Sequence, residues 1–359
     1  MSNMSIKQYV FKKGARNRIP VSGTFELTPR CNLNCKMCYV HMTSEEQKLV
    51  AKELTKEQWI SLGKEAVEAG MIYLLLTGGE PLLRPDFQEI YKTLLEMGLI
   101  ITINTNGTLI TPEIAEFFYY HRPEKVNITL YGSSDDTYEK LCGNSKGFEA
   151  AIKGIRLLKN KGIRVNINTT FTKLNEKDLE QIVAFAKKEK IPVRTAAFTF
   201  PPIRNQHEES GINLRPMEAG RLGAKFDKLT MEPEQIEKRK KLLGSYLEMR
   251  IPENEPESRV SACMAGKGAF WISWNGEMYP CGMLPNHSVS ILEKDFKTAW
   301  NLILEKQSEM FIPAKCSICN RKAICPICSA VAESVGYGKE DIPEVMCQFT
   351  KSYVEEFLK

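Results

Sequence analysis

Three cysteines stand in the stretch Cys31-Asn-Leu-Asn-Cys35-Lys-Met-Cys38, a CX3CX2C spacing in a chain where cysteine is only 11 of 359 residues. The spacing lets one short loop aim three thiolates at a single point. Three thiolates can hold three irons of a [4Fe–4S] cube and leave the fourth iron free to take a ligand. Zinc is the competing reading, and a zinc site wants four ligands. A second feature, Gly78-Gly79-Glu80, follows an aliphatic run at once. Two glycines let backbone come close to a ligand, and Glu80 offers charge to an ammonium.

A second cysteine field fills the C-terminal third. Cys263 is followed by twelve residues, Gly276, four residues and Cys281; then come Cys316-X2-Cys319-X5-Cys325-X2-Cys328 and finally Cys347. Zinc ribbons usually separate paired CX2C motifs by about 15–20 residues, and here the gap is five. Such tight packing suits iron–sulfur runs, in which the last cysteine of a run serves another cluster. Cys142 stands outside both fields. It reads as a buried small hydrophobe or, more sharply, as a thiol that donates a hydrogen atom.

Alternating strands and helices must position these groups. Strands are expected at 23–29, 71–77, 100–104, 126–131, 165–171 and 193–198. Helices are expected at 55–69, 85–97, 112–120, 147–160 and 175–189, the first with Thr55 as N-cap and Gly70 as stop. That alternation implies parallel βαβ units, six of them, short of the eight that close a barrel. The fold class is therefore α/β: a partial (β/α)6 TIM-like barrel, open at one side, then a small cysteine-rich α+β domain with a β-hairpin. The expected divisions are 1–22, an N-terminal extension; 23–200, the barrel; 201–257, a bridge; and 258–359, the cysteine-rich domain. Pro201, Pro202, Pro216, Pro252 and Pro256 punctuate the bridge around helices at 216–229 and 233–249. Ala269 to Ser273 and Glu277 to Tyr279 read as a hairpin with a type I′ turn at Asn275-Gly276, which would bring Cys263 and Cys281 together. Active sites of such barrels lie at the C-terminal strand ends, where every motif above falls.

The CX3CX2C loop beside Gly78-Gly79-Glu80 resembles the signature of the radical S-adenosylmethionine (SAM) superfamily. The resemblance implies a SAM-binding [4Fe–4S] cluster on Cys31, Cys35 and Cys38 and reductive cleavage of SAM to a 5′-deoxyadenosyl radical. It places Met37 beside the adenine and gives Gly78, Gly79 and Glu80 the SAM amino group. Thr129, Tyr131 and Asn168 become candidates for ribose and carboxylate contacts. Relatives often carry an arginine near position 142, and Lys140 is the substitute here. The C-terminal field resembles the SPASM domain of peptide-modifying radical SAM enzymes. Carried over by position, Cys316, Cys319, Cys325 and Cys347 would hold one auxiliary [4Fe–4S] cluster, and Cys263, Cys281 and Cys328 the other, one thiolate short. Sulfatase-maturing relatives have a further cysteine where this chain has Glu257.

The function this implies is modification of a ribosomally made peptide or protein, by a crosslink such as a thioether or by oxidation or epimerisation. Alternatives are a sulfatase-type protein, a tetrapyrrole carboxylate, or a non-catalytic iron–sulfur redox sensor. Implied partners are the peptide or protein substrate, a separate peptide-recognition protein (22 residues before the first strand being too few for such a domain), and a flavodoxin- or ferredoxin-type reductant. Net charge is only +5, which gives no argument for nucleic acid. The longest aliphatic run, Met71 to Leu76, is far short of a membrane span. The N-terminus lacks the apolar core of a signal peptide, so a cytoplasmic location is expected.

Overall fold

A nine-stranded sheet runs through most of the chain. Its strands are β1 (Ser22–Glu26), β2 (Tyr73–Thr77), β3 (Ile100–Thr105), β4 (Lys125–Thr129), β5 (Val165–Thr170), β6 (Val193–Ala196), β7 (Ala269–Ile272), β8 (Glu277–Tyr279) and β9 (Val289–Ser290). The computed structural model describes residues 4–40, 42, 46, 52–196, 199–200, 211–253, 263–336 and 338–359. Pro201, Pro202, Pro256, Glu257 and the expected end of the sixth strand at Phe198 lie outside them.

The helices are α1 (Ile6–Arg16), α2 (Lys56–Glu68), α3 (Phe87–Glu96), α4 (Pro112–Tyr120), α5 (Asp135–Cys142), α6 (Gly147–Asn160), α7 (Leu179–Lys188), α8 (Pro216–Thr230), α9 (Pro233–Gly244), α10 (Phe296–Lys306), α11 (Ala314–Ile318), α12 (Ser329–Ser334) and α13 (Glu344–Leu358). Thr55 caps α2 through a reciprocal capping box with Gln58, and Gly70, at φ +107°, lies just past its end, as expected.

The spatial strand order is β6-β5-β4-β3-β2-β1-β7-β8-β9. β1 to β6 are parallel neighbours in sequence order, the partial barrel that the alternation predicts. The hairpin is not a separate sheet: β7 pairs parallel to β1, and β8 and β9 follow antiparallel. Its turn differs from the expected type I′, which needs a positive φ at both central residues. Gly276 has φ +82°, whereas Asn275 is not among the residues at positive φ. Gly276 N–H bonds Ser273 O, and Ser273 N–H bonds Glu277 O. That is a three-residue loop ending in a left-handed glycine.

Strand alternation separates two faces. Phe25, Leu74, Leu76, Ile101, Ile103, Val126, Ile128 and Ile167 are buried and pack in one core with Trp59, Phe87, Leu94, Phe118, Ile155 and Ile182 from the helices. Burying each such side chain contributes about 1.5–3 kcal/mol. The other face looks into the arc and is mostly polar, with Tyr73, Leu75, Ile100 and Trp271 as its apolar members. Asn104, Asn127 and Asn166 stand side by side in register, and Asn127 donates to Asn104 Oδ1 at 2.8 Å. One step on, Thr129, Asn168 and Arg194 form the next row.

Six of the described helices escaped the sequence reading: α1, α5 and, in the C-terminal third, α10 to α13. α1 buries only Gly14 and so shows no apolar stripe; its legible signal was the Ser5…Gln8 capping box. It lies across the N-terminal ends of the strands, with Lys7 Nζ 4.4 Å from the Tyr73 ring centre and 3.4 Å from Glu124. α5 is short and polar outside, and it matters to the site. In the bridge, the helix expected to reach 249 ends at Gly244. Gly220 of α8 meets α13 so closely that a Cβ would lie 2.2 Å from Phe349 O. Tyr353 of α13 donates to Asp227 of α8 at 2.5 Å.

Candidate active site

The cysteine loop leaves the C-terminal end of β1 and is bolted to three neighbouring strand ends. After β2, Gly79 N–H donates to Thr28 O and Glu80 N–H to Arg30 O, both at 2.7 Å. A Cβ on Gly79 would lie 2.4 Å from Arg30 O, and one on Gly78 2.6 Å from Thr28 O. The glycines thus admit the chain's own cysteine loop, a closer backbone approach than any side chain allows. After β3, Asn106 Nδ2 donates to Asn32 Oδ1 at 2.8 Å and reaches Cys31 Sγ at 3.8 Å. After β4, the loop seats on the end of α5: Asn34 N–H donates to Cys142 O at 2.8 Å and Lys36 N–H to Leu141 O at 3.0 Å. Helix ends leave carbonyls without intrahelical partners, and here the loop takes them.

A buried cation clasps both flanks of the loop. Arg84, 6% exposed, donates through Nη1 to Leu27 O at 3.0 Å, Leu54 O at 3.1 Å and Glu53 Oε2 at 3.2 Å. Its other side forks onto Asp86 at 2.8 and 2.9 Å. Glu53 also takes Thr28 Oγ1 at 2.6 Å and Arg30 at 2.7 and 3.0 Å. Sequence reasoning missed Arg84 and Glu53, because an Arg-Pro-Asp turn carries no metal-site signature.

The thiols converge. Burial pushes Cys31 up to about 12, with Leu33 N–H opposing and the nearby Glu80, Cys35 and Cys38 adding to the rise. Cys35 is held up first by a hydrogen bond with Cys142 and then by burial. Buried thiols that repel one another fit a cationic iron centre, which would supply the missing positive charge. Among the described residues, no three His, Cys, Asp or Glu side chains close round a single-ion position. A cube takes its thiolates at separate corners instead.

Glu80 is fully buried and its carboxylate is already taken. Thr105 Oγ1 lies 2.8 and 2.9 Å from its two oxygens, and the N–H groups of Asn106 and Leu82 donate at 2.8 and 3.1 Å. Burial outweighs these bonds and raises Glu80 to about 7 from 4.5. An acid raised on folding binds its proton more tightly in the native state. Its stabilisation is therefore whole below about 4.5 and lost as pH rises through about 7. The difference amounts to something on the order of 3 kcal/mol. Urea midpoints of the cofactor-free protein across that window should fall less steeply for Glu80→Gln than for the parent; parallel slopes would contradict the assignment.

The remaining expected residues divide. Tyr131 lies against the loop: burial pushes its hydroxyl up, and Cys35, Cys38 and Cys142 face it. Thr129 and Asn168 pair in register on the inner face. Met37 is buried in the main core. Lys140 does not face the site. It pairs with Asp136 one turn back at 2.7 Å on the outer face of α5, because the helix buries Thr137, Tyr138, Leu141 and Cys142 instead. Cys142 is 0% exposed. A hydrogen-atom donor must reach substrate, and this thiol has no open surface.

In the C-terminal field, Cys316, Cys319, Cys325 and Cys347 line one cavity with Arg321, Met346 and Thr350. Burial and the other three thiols push Cys316 up to about 12. Burial pushes Cys281 up to about 11, with Met283 N–H opposing and Cys263 and Cys328 adding to it. The hairpin base does gather Cys263 and Cys281, as expected, and Cys328 joins them.

A partial α/β barrel with a three-thiol loop at the C-terminal end of its first strand defines an iron–sulfur enzyme class. The family model "Radical SAM superfamily" matches residues 25–186, so this segment is a radical SAM domain, and the chain is an enzyme. That family implies a [4Fe–4S] cluster and SAM. The chain is 28% identical over 327 residues to the AdoMet-dependent heme synthase of Methanosarcina barkeri, covering 86% of this chain and 90% of that protein. It is 27% identical over 267 residues to the PqqA peptide cyclase of Ruegeria pomeroyi, covering 73% and 67%. Its fold matches that of Streptococcus suis SuiB bound to S-adenosylmethionine, with TM-score 0.66, 19% identity, and 96% and 84% of the two chains covered. Among the described residues no helix is long and apolar enough to cross a membrane.

Proposed function

We propose that this enzyme modifies a residue of a ribosomally made peptide or protein, with Cys31, Cys35 and Cys38 holding the SAM cluster. When bound, that cluster supplies an open iron and the electron for reductive cleavage of SAM. The chain's residues do the rest. Asn106 and the end of α5 orient the thiol loop. The Gly78-Gly79-Glu80 turn locks the loop against β2 and β3. Tyr131, Thr129 and Asn168 line the inner side beside it, where SAM would lie, and Met37 keeps the loop's underside apolar. Cys316, Cys319, Cys325 and Cys347 form a complete four-thiol set for an auxiliary SPASM-type cluster. Cys263, Cys281 and Cys328 form a second set, one ligand short.

The observation that carries the peptide reading is the lining of the arc. From β3 to β6 its described rows carry the amides Asn104, Asn127, Asn166 and Asn168, with Thr129 beside them and Arg194 on β6, which among the described residues pairs with β5 alone. Side-chain amides bond a peptide backbone through both donor and acceptor, and the open edge admits a chain from the side. The cyclase relative acts on a peptide. A second reading, decarboxylation or similar chemistry on a tetrapyrrole, is favoured by the heme synthase relative, which covers more of the chain. Several buried carboxylates would need several cations, and the inner rows offer Lys125 and Arg194. Anaerobic reactions with SAM and a low-potential reductant separate the two. A peptide from a short reading frame beside the gene should lose hydrogen by mass spectrometry. Turnover of iron coproporphyrin, with the peptide unchanged, would overturn the reading.

A further inference from the structure

We infer that Trp271 is a substrate-contact residue, the part of the arc's inner wall on which a flat apolar ring of the substrate packs. This rests on the reading of the arc as the substrate chamber. Three observations converge. Trp271 stands on the inner face of β7, in register with Thr24 of β1, and Leu75 of β2 is next in the same row. All three keep part of their surface open. The single polar atom of the indole is already used. Trp271 Nε1 donates to Glu26 Oε2 at 2.8 Å, and Glu26, at the inner end of β1, is 1% exposed. What the indole can still offer a ligand is therefore carbon surface. Finally, the turn after Cys281 presses on the ring. A Cβ on Gly282 would lie 2.7, 2.8 and 2.9 Å from Trp271 Cδ2, Cε2 and Cε3. Those atoms surround the ring fusion, so the glycine backbone covers part of one face.

An indole tied at its nitrogen and backed by a glycine cannot swing away without moving the Cys281 turn. It is a preorganised surface, and a rigid aromatic contact costs a ligand little ordering entropy. The rows above it are polar: Glu26 and Thr77, then Asn104, Asn127 and Asn166. Those groups suit amides and carboxylates. Trp271 and Leu75 supply the apolar ground beneath them, where a ring gains both from leaving water and from ring–ring contact. A flat apolar ring belongs equally to an aromatic side chain of a peptide and to a tetrapyrrole, and the test has an arm for each.

The measurement is calorimetric binding to the full, anaerobically reconstituted protein with SAM present. The probes are the peptide from a short reading frame beside the gene, the same peptide with its aromatic residues changed to alanine, and iron coproporphyrin. Trp271→Leu should weaken the aromatic peptide about tenfold and leave the alanine peptide within about twofold. That failure of additivity marks direct contact, which a merely structural role would not produce. Trp271→Phe keeps a ring and should stay within about threefold of the parent. Gly282→Ala keeps the indole but displaces it, and should also weaken the aromatic peptide, so the test does not hang on the folding of the leucine variant. If iron coproporphyrin shows the tenfold loss and the phenylalanine rescue instead, the contact stands and the peptide reading falls. Equal losses for both peptides, or unchanged affinity for every probe in Trp271→Leu, overturn the inference. A parent protein that binds none of the probes overturns the substrate-chamber reading beneath it.

Discussion

Replacing Cys31, Cys35 and Cys38 together by alanine should abolish 5′-deoxyadenosine formation while the protein keeps about two thirds of its iron, as three four-iron clusters would require. The separation follows from the fold. The loop is seated on β2, β3 and α5, whereas the C-terminal thiols sit on the hairpin base and on α13. The two regions share no ligand. The loop also keeps most of its anchors in the variant, because Gly79 and Glu80 bond the backbone leading into it, Asn106 the Asn32 side chain and Arg84 its flanks. Iron and sulfide analysis beside chromatographic assay of the nucleoside checks both halves. Retained cleavage would remove the site from this loop. Loss of nearly all iron would remove the auxiliary clusters from the C-terminal field.

Arg84→Met should cost about 3–5 kcal/mol, the range for breaking a buried ion pair by deleting one partner. Methionine matches the length of the arginine stem but leaves Asp86, Glu53 and the carbonyls of Leu27 and Leu54 facing a thioether. Two of those groups flank the cysteine loop on opposite sides, so the loss should reach the site as well as stability. A fall in the first thermal transition on the order of 10 °C is expected, with poorer iron incorporation. Arg84→Lys should recover only part, since an ammonium cannot fork onto Asp86 while spanning the two carbonyls. A melting curve within a degree or two of the parent would show that the clasp is dispensable.

The barrel was legible because its strands alternate or run aliphatic and its helices carry apolar stripes, some with a legible cap, as at Thr55 and Thr111. α5 was not legible. Its four buried positions are Thr137, Tyr138, Leu141 and Cys142, a short and half-polar set. Without that helix, Lys140 looked free to reach SAM and Cys142 looked free to reach substrate. One turn of helix points the first into solvent and the second into the core.

The amino-acid sequence by itself determined which atoms are available for chemistry. Three thiols within eight residues must share a loop, and paired CX2C motifs must share another, since chain connectivity alone limits how far apart they can be. It also determined the alternation of strand and helix, since those periods are local. Only the tertiary structure decided what holds the loop in place. Arg84, Glu53, Asn106 and the end of α5 come from segments as far as a hundred residues away, and no local pattern records their meeting. Tertiary packing likewise turned the Gly78-Gly79 pair toward the neighbouring loop and joined β7 to β1, because close backbone approach and strand pairing are settled by which surfaces can be buried together.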